Sequence, residues 1–164
     1  MVLGLDASTT VCGWALSNSN SIERAGFIDI SNLETNKEKA HYILEVISPY
    51  LHNVKEIKLE AALSGFMRGR TSQQVVIKLA RFNAVLEYVL NEKTGIPVTL
   101  VNAATARKKV LGKAFIKGMT AKEYVRQELP KIHPEIRQFE KLNKKGQWNV
   151  KNSDMYDAVV ISCF

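Results

Sequence analysis

An apolar run that stops on an acid opens the chain: Val2, Leu3 and Leu5 lead to Asp6, and Ala7-Ser8-Thr9-Thr10 follows. A carboxylate closing an apolar strand is costly to bury without a partner, so the rest of the fold must bring one to it. Cys12–Leu16 and Ile22–Ile30 carry strand-like β-branched and aromatic residues between Ser and Asn, and read as two further strands. The turn Ser17-Asn18-Ser19-Asn20-Ser21 is short enough for a hairpin, which predicts that these two strands are antiparallel.

Helical spacing then takes over. Ile43, Val46, Ile47 and Leu51 predict a helix from about Lys37 to His52. Glu56–Ala61 reads as a fourth strand with Glu60 near its C-terminal end. Thr71-Ser72-Gln73-Gln74 has the form of a capping box, and Val75, Leu79, Phe82, Leu86 and Val89 form the stripe of a helix ending near Gly95. Pro97–Val101 is a fifth strand, Asn102 caps a short helix through Val110, and Thr120-Ala121-Lys122-Glu123 is a second capping box after a flexible Gly112–Gly118 loop. Pro130 and Pro134 break the next segment, and Ser153 caps a final helix. Strands followed by alternating strands and helices predict an α/β fold: a mixed five-stranded sheet, three antiparallel strands then two parallel, flanked by helices around one core.

A chain of 164 residues is expected to form a single domain, 1–164. With 46% hydrophobic and 24% charged residues it is neither disordered nor fibrous. The charge is uneven: residues 103–152 hold 13 basic and 4 acidic side chains, whereas the remainder holds 10 and 12. A one-sided basic field suits a polyanion through counterion release, although solubility alone also explains a basic patch. Cys12 and Cys163 belong to no C-x-x-C pair, which leaves metal-finger and redox motifs unsupported and suits a reducing compartment. The N-terminus lacks the basic lead of a signal peptide and no apolar run spans a bilayer, so a cytoplasmic location without membrane contact is expected.

Four acids stand where they can meet. Asp6 and Glu60 close strands that parallel neighbours would set side by side, and Asp154 and Asp157, three apart, share a helix face that could lie across those strand ends. Converging carboxylates repel, and a divalent cation is the natural remedy. Hard oxygen donors suit Mg²⁺ or Mn²⁺, and two such ions about 3.5–4 Å apart can hold the attacking water and the leaving oxygen of a phosphodiester. The expected reaction is metal-assisted hydrolysis of a nucleic-acid backbone. For Asp154 and Asp157 alone a second reading stands, since acids in a first turn also interact well with the helix dipole.

Leu3-Gly4-Leu5-Asp6-Ala7-Ser8 followed by Gly13-Trp14-Ala15-Leu16 resembles the opening of RuvC-type Holliday-junction resolvases. Glu60 with Phe66-Met67-Arg68-Gly69-Arg70-Thr71-Ser72 and Lys78-Leu79-Ala80-Arg81 is similar to that family's second acid, DNA-facing loop and following helix. Ala104-Thr105-Ala106-Arg107-Lys108-Lys109, Gly112, Lys117 and Lys122 are similar to its basic segment, and Asp154-Met155-Tyr156-Asp157-Ala158 to its closing helix. The resemblance spans nearly the whole chain in order, and bacteriophage members look nearest. Two departures are Ala7-Ser8 in place of Pro-Gly and a longer stretch between Glu60 and its helix. The resemblance implies a ribonuclease H-like fold, a homodimer and paired nicks in four-way DNA with Mg²⁺ or Mn²⁺, without an organic cofactor, in DNA recombination and repair.

Phe66 and Met67, between glycines, suit insertion into an open branch point, with Arg68 and Arg70 on phosphate; an ordinary core contact is the other reading of Phe66. Arg107, Lys108, Lys109, Lys113, Lys117 and Lys122 are candidates to track the DNA backbone, with Lys113 or Lys117 near the scissile phosphate, or they are simply solvated. Val76, Ile77, Ala80, Asn83, Ala84 and Tyr88 give the long helix a second, semi-apolar face, suited either to a twofold partner or to the monomer's own core. The rival readings are a ribonuclease H on RNA:DNA hybrids, a relaxed flap or branch nuclease, a non-catalytic junction-binding module and an actin-like ATP-binding domain. The last needs two such domains.

Overall fold

The structure, a computed structural model, describes residues 1–19, 21–62 and 73–164. Its strands are β1 (Val2–Ala7), β2 (Val11–Ser17), β3 (Ile22–Asp29), β4 (Glu56–Glu60) and β5 (Val98–Val101); its helices are α1 (Asn36–Ile47), α2 (Gln73–Thr94), α3 (Ala103–Leu111), α4 (Ala121–Ile132) and α5 (Asn152–Ser162). The sheet order is β3-β2-β1-β4-β5. β1, β2 and β3 form an antiparallel meander, and β4 and β5 add in parallel beside β1. This is the mixed α/β sheet that the strand and helix order implies.

Alternation along β1 divides the molecule. Leu3, Leu5 and Ala7 face a core shared with Ala40, Ile43 and Ile47 of α1 and Phe82, Leu86 and Leu90 of α2. On the other side a second core joins Ala15, Val101 and Ala106 to Val125 and Leu129 of α4 and the buried residues of α5. Helix α5 is apolar nearly all round, and Met155 through Ile161 are all buried.

Helix α5 lies against the sheet because two strand positions have no side chain. A Cβ on Gly13 would stand 2.0 Å from the Asp154 carbonyl oxygen, and one on Gly4 would stand 2.2 Å from that of Ala158. Both are far inside van der Waals contact, so only glycine admits the helix at this depth.

Several local expectations shift. α1 ends at Ile47 rather than His52, because Pro49 cannot donate to the helix ladder; Ser48–Asn53 continues as a 3-10 turn. Pro130 lies within the last turn of α4 without breaking it, and the helix stops before Pro134. Ser153 is not the cap of α5: it sits in the first turn and its hydroxyl donates to the Val150 carbonyl at 2.6 Å. Val75 is 52% exposed and leaves the core stripe to Phe82, Leu86 and Val89. The proposed Thr71–Gln74 cap falls partly outside the described residues. The caps at Asn102 and Thr120 form as the sequence predicts.

Candidate active site

Register places the first two acids. Leu5 pairs with Leu59 across the parallel β1–β4 ladder, so Asp6 and Glu60, one residue on, leave the same end of neighbouring strands on the same face. Their carboxyl groups lie close enough to hydrogen-bond to each other when one of them carries a proton. Burial, then the Glu60 charge and this hydrogen bond, push Asp6 well above the usual carboxylate range. Burial also raises Glu60, although the hydrogen bond from Asp6 works against it.

Helix α5 delivers the other two. Asp6 pairs with Gly13 across β1 and β2, and Gly13 is where the α5 backbone touches the sheet at Asp154. Asp157, only 6% exposed, is pushed up to about 7 by burial first and by the Asp6 charge second. The Asp154 charge also raises Asp6, and the Asp157 charge raises Glu60. All four acids therefore share one electrostatic neighbourhood.

Two cations answer them. Lys122, in the first turn of α4, places Nζ 2.5 Å from Asp154 Oδ1 and 3.3 Å from Ser153 Oγ. Burial disfavours its ammonium, but the hydrogen bond to Asp154 and the surrounding acids outweigh this and raise its pKa. Arg107 of α3 stands 3.5 Å from Asp157 Oδ1 through Nη1. Its side chain is only 17% exposed, whereas the sequence reading expects it to face solvent. Asp157 needs a counter-charge where water cannot supply one.

The other basic candidates separate. Lys108, Lys113 and Lys117 are exposed. Lys109 donates to the Phe164 carbonyl at 2.8 Å and lies over the Phe164 ring, beside a cleft of about 830 Å³ lined by Met1 and Val2 at the opposite end of β1 from Asp6. Its ammonium thus faces away from the acids. Phe66, Met67, Arg68 and Arg70 lie outside the described residues. Asn83 is buried rather than part of an outer face, and its Nδ2 donates to the Glu60 carbonyl at 2.9 Å, tying α2 to the acid-bearing strand end. Sequence reasoning missed that role for Asn83 and the close approach at Gly13; an isolated glycine inside a strand was the available signal for the latter.

As placed, no three Asp, Glu, His or Cys side chains among the described residues converge tightly enough to hold an ion. The donor set nonetheless fits a hard divalent cation. Four carboxylates face two organic cations, and burial first and mutual repulsion second push Asp6, Glu60 and Asp157 up, the setting that a hard cation would relieve.

No family model and no curated protein matches this sequence. Solved structures do match it. Thermus thermophilus RuvC in complex with a Holliday junction substrate aligns with a TM-score of 0.65 at 18% identity, covering 99% of this chain and 90% of that chain. The fold is RuvC-like. A second T. thermophilus RuvC structure gives 0.61 at 16% identity over the same shares, and the yeast mitochondrial Holliday junction resolvase Ydc2 gives 0.64 at 16%, covering 99% of this chain and 75% of that chain. The RuvC-like fold extends over the whole α/β unit, including α5. Among the described residues no helix is long and apolar enough to cross a membrane.

Proposed function

We propose that the chain is a structure-selective DNA endonuclease that resolves four-way or other branched DNA by metal-dependent hydrolysis of phosphodiester bonds. One observation carries the reading: Asp6 and Glu60 leave adjacent strand ends side by side, and α5 brings Asp154 and Asp157 up against them. Asp6, Glu60, Asp154 and Asp157 would hold Mg²⁺ or Mn²⁺, two ions per site, which supply charge neutralisation and an activated water when bound. The same carboxylates would orient the attacking water. Lys122 offsets negative charge at Asp154 and is well placed to meet the scissile phosphate. Arg107 keeps the deepest acid, Asp157, in place.

Exposed Lys108, Lys113 and Lys117 supply phosphate contacts, and the RuvC of similar fold is bound to a Holliday junction. Exposed Ile77, Ala80, Ala84 and Tyr88 form a stripe along α2 suited to a twofold partner, and two copies would give the paired nicks that resolution requires.

The test incubates the protein with an immobile four-way junction, a linear duplex and an RNA:DNA hybrid in Mg²⁺ or Mn²⁺, and maps the nicks. Symmetric cuts near the branch are expected. Cleavage of the hybrid instead would assign a ribonuclease H, and no cleavage of any substrate would overturn the nuclease reading.

A further inference from the structure

The loop between α3 and α4 carries a feature that the acid site does not use. Phe115 is 71% exposed and its neighbour Ile116 is 38% exposed. They sit between two exposed lysines, Lys113 and Lys117, and the segment is bracketed by Gly112 and Gly118 at φ 82° and 85°. Those left-handed positions suit glycine and turn the chain sharply at both ends. Both roots of the loop are held: the Tyr124 hydroxyl donates to the Leu111 carbonyl at 2.8 Å, and Thr120 closes a full capping box with Glu123. The exposed tip is thus mounted on an ordered frame.

A phenylalanine left in water loses the stabilisation that burial of its ring would give, and single exposed apolar residues are ordinary on protein surfaces. This one differs in its setting. Cationic side chains stand on both sides of it in a segment whose net charge is strongly positive, and aromatic rings flanked by phosphate-binding cations are how proteins hold unstacked bases. The loop also leads straight into the acid site. Lys122 follows Phe115 by seven residues and contacts Asp154. Seven residues span at most roughly 25 Å. That is about seven nucleotide steps along a strand at 3.4 Å each. The two positions are therefore no farther apart along the chain than about seven such steps, a reach that one bound strand can cover.

We propose that Phe115 is a base-stacking residue, a platform for an unstacked nucleobase of single-stranded or branch-point DNA, with Lys113 and Lys117 holding the flanking phosphates. The proposal rests on the nucleic-acid reading of the site and adds to it a contact on a loop distinct from the segment after Glu60.

The experiment replaces Phe115 with Trp and, separately, with Ala and Tyr, and titrates each metal-free protein with a single-stranded oligonucleotide, a linear duplex and an immobile junction. Base stacking on the new indole quenches its fluorescence. We expect quenching in Phe115→Trp by the single strand and the junction well beyond that of the parent protein, whose Trp14 is buried against Tyr50 and whose Trp148 lies under Arg126. Phe115→Ala should bind the single strand and the junction about 5- to 100-fold more weakly, with linear duplex little affected and the salt dependence unchanged, because no charge is removed. Phe115→Tyr should restore most of the affinity. Quenching no greater than in the parent, or equal losses on duplex and junction, overturns the proposal. Cleavage by the parent protein is scored separately: a parent that stacks bases but cuts no substrate refutes the nuclease reading alone, and a parent that cuts junctions while Phe115→Ala binds them normally refutes the stacking role alone.

Discussion

Lys122 Nζ lies 2.5 Å from Asp154 Oδ1, so the first turn of α4 is tied to the first turn of α5 at the acid cluster. The pair brings the basic segment to the acids by direct contact. It also sets up a competition, because a divalent ion bound by Asp154 meets a resident ammonium. Lys122→Ala is expected to lower the concentration of Mn²⁺ needed to stabilise the protein, while slowing junction cleavage about 100-fold through loss of a charge beside the phosphate. A thermal-shift titration and a single-turnover assay read the two effects. An unchanged metal midpoint would show that the ammonium does not compete.

Asp6→Asn is expected to reduce cleavage to background and leave junction binding intact or tighter, since a metal ligand and a negative charge near phosphate disappear together. Gel-shift and cleavage assays on one preparation decide it. Retained cleavage would remove Asp6 from the ligand set.

The pH profile follows from the raised acids. Asp157 is pushed up to about 7, chiefly by burial, whereas an unfolded aspartate titrates near 4. The folded protein thus binds a proton that the unfolded chain has released, and the associated stability is fully present below about pH 4 and is lost as pH rises through about 7. Without metal, the melting temperature of the parent relative to Asp157→Asn should fall across that window. Mg²⁺ or Mn²⁺ should recover more of it at pH 8 than at pH 5. A pH-independent difference between the two proteins would contradict the buried, proton-holding state of Asp157.

Gly13→Ala tests how α5 is seated. Its Cβ would stand 2.0 Å from the Asp154 carbonyl oxygen, so the helix must shift. We expect a loss of about 3 kcal/mol and a melting temperature lower by roughly 5–10 °C. Cleavage should fall even at temperatures where the protein is folded, because Asp154 and Asp157 move with the helix. A protein as stable and active as the parent would show that the helix does not rest on this position.

Salt dependence separates the basic residues. Lys108, Lys113 and Lys117 are exposed, and replacing all three with Ala should flatten the slope of log K against log salt on duplex DNA by up to about 0.9 for each phosphate no longer neutralised. The equally exposed Lys37, Lys55 and Lys93 provide the control triple. Equal flattening in both would mean that overall charge alone governs binding.

Much of the architecture was legible along the chain because it depends on local periodicity. Strands of β-branched and aromatic residues between turns, helical stripes and the caps at Asn102 and Thr120 are set by neighbours within a few residues, and most lie where the sequence predicts. The strand directions followed as well, since a short turn imposes an antiparallel pair and a helical crossover a parallel one. Where one local signal met another, the reading slipped: Pro49 ended α1 within an otherwise helical stripe, and Val75 continued a stripe into solvent.

The positions of Asp6 and Glu60 on adjacent parallel strands belong to that legible part. Only the tertiary structure decided which cations meet the acids. Arg107, Lys108 and Lys109 are consecutive in sequence, yet Arg107 reaches Asp157, Lys108 faces solvent and Lys109 reaches Phe164 at the other end of the sheet. Along a helix, consecutive side chains diverge by about 100°, so charge counted over a segment carries no direction until the helix is packed. The depth of α5 was likewise hidden, because it depends on Gly4 and Gly13 meeting a helix more than a hundred residues away, a contact that exists only when sheet and helix come together.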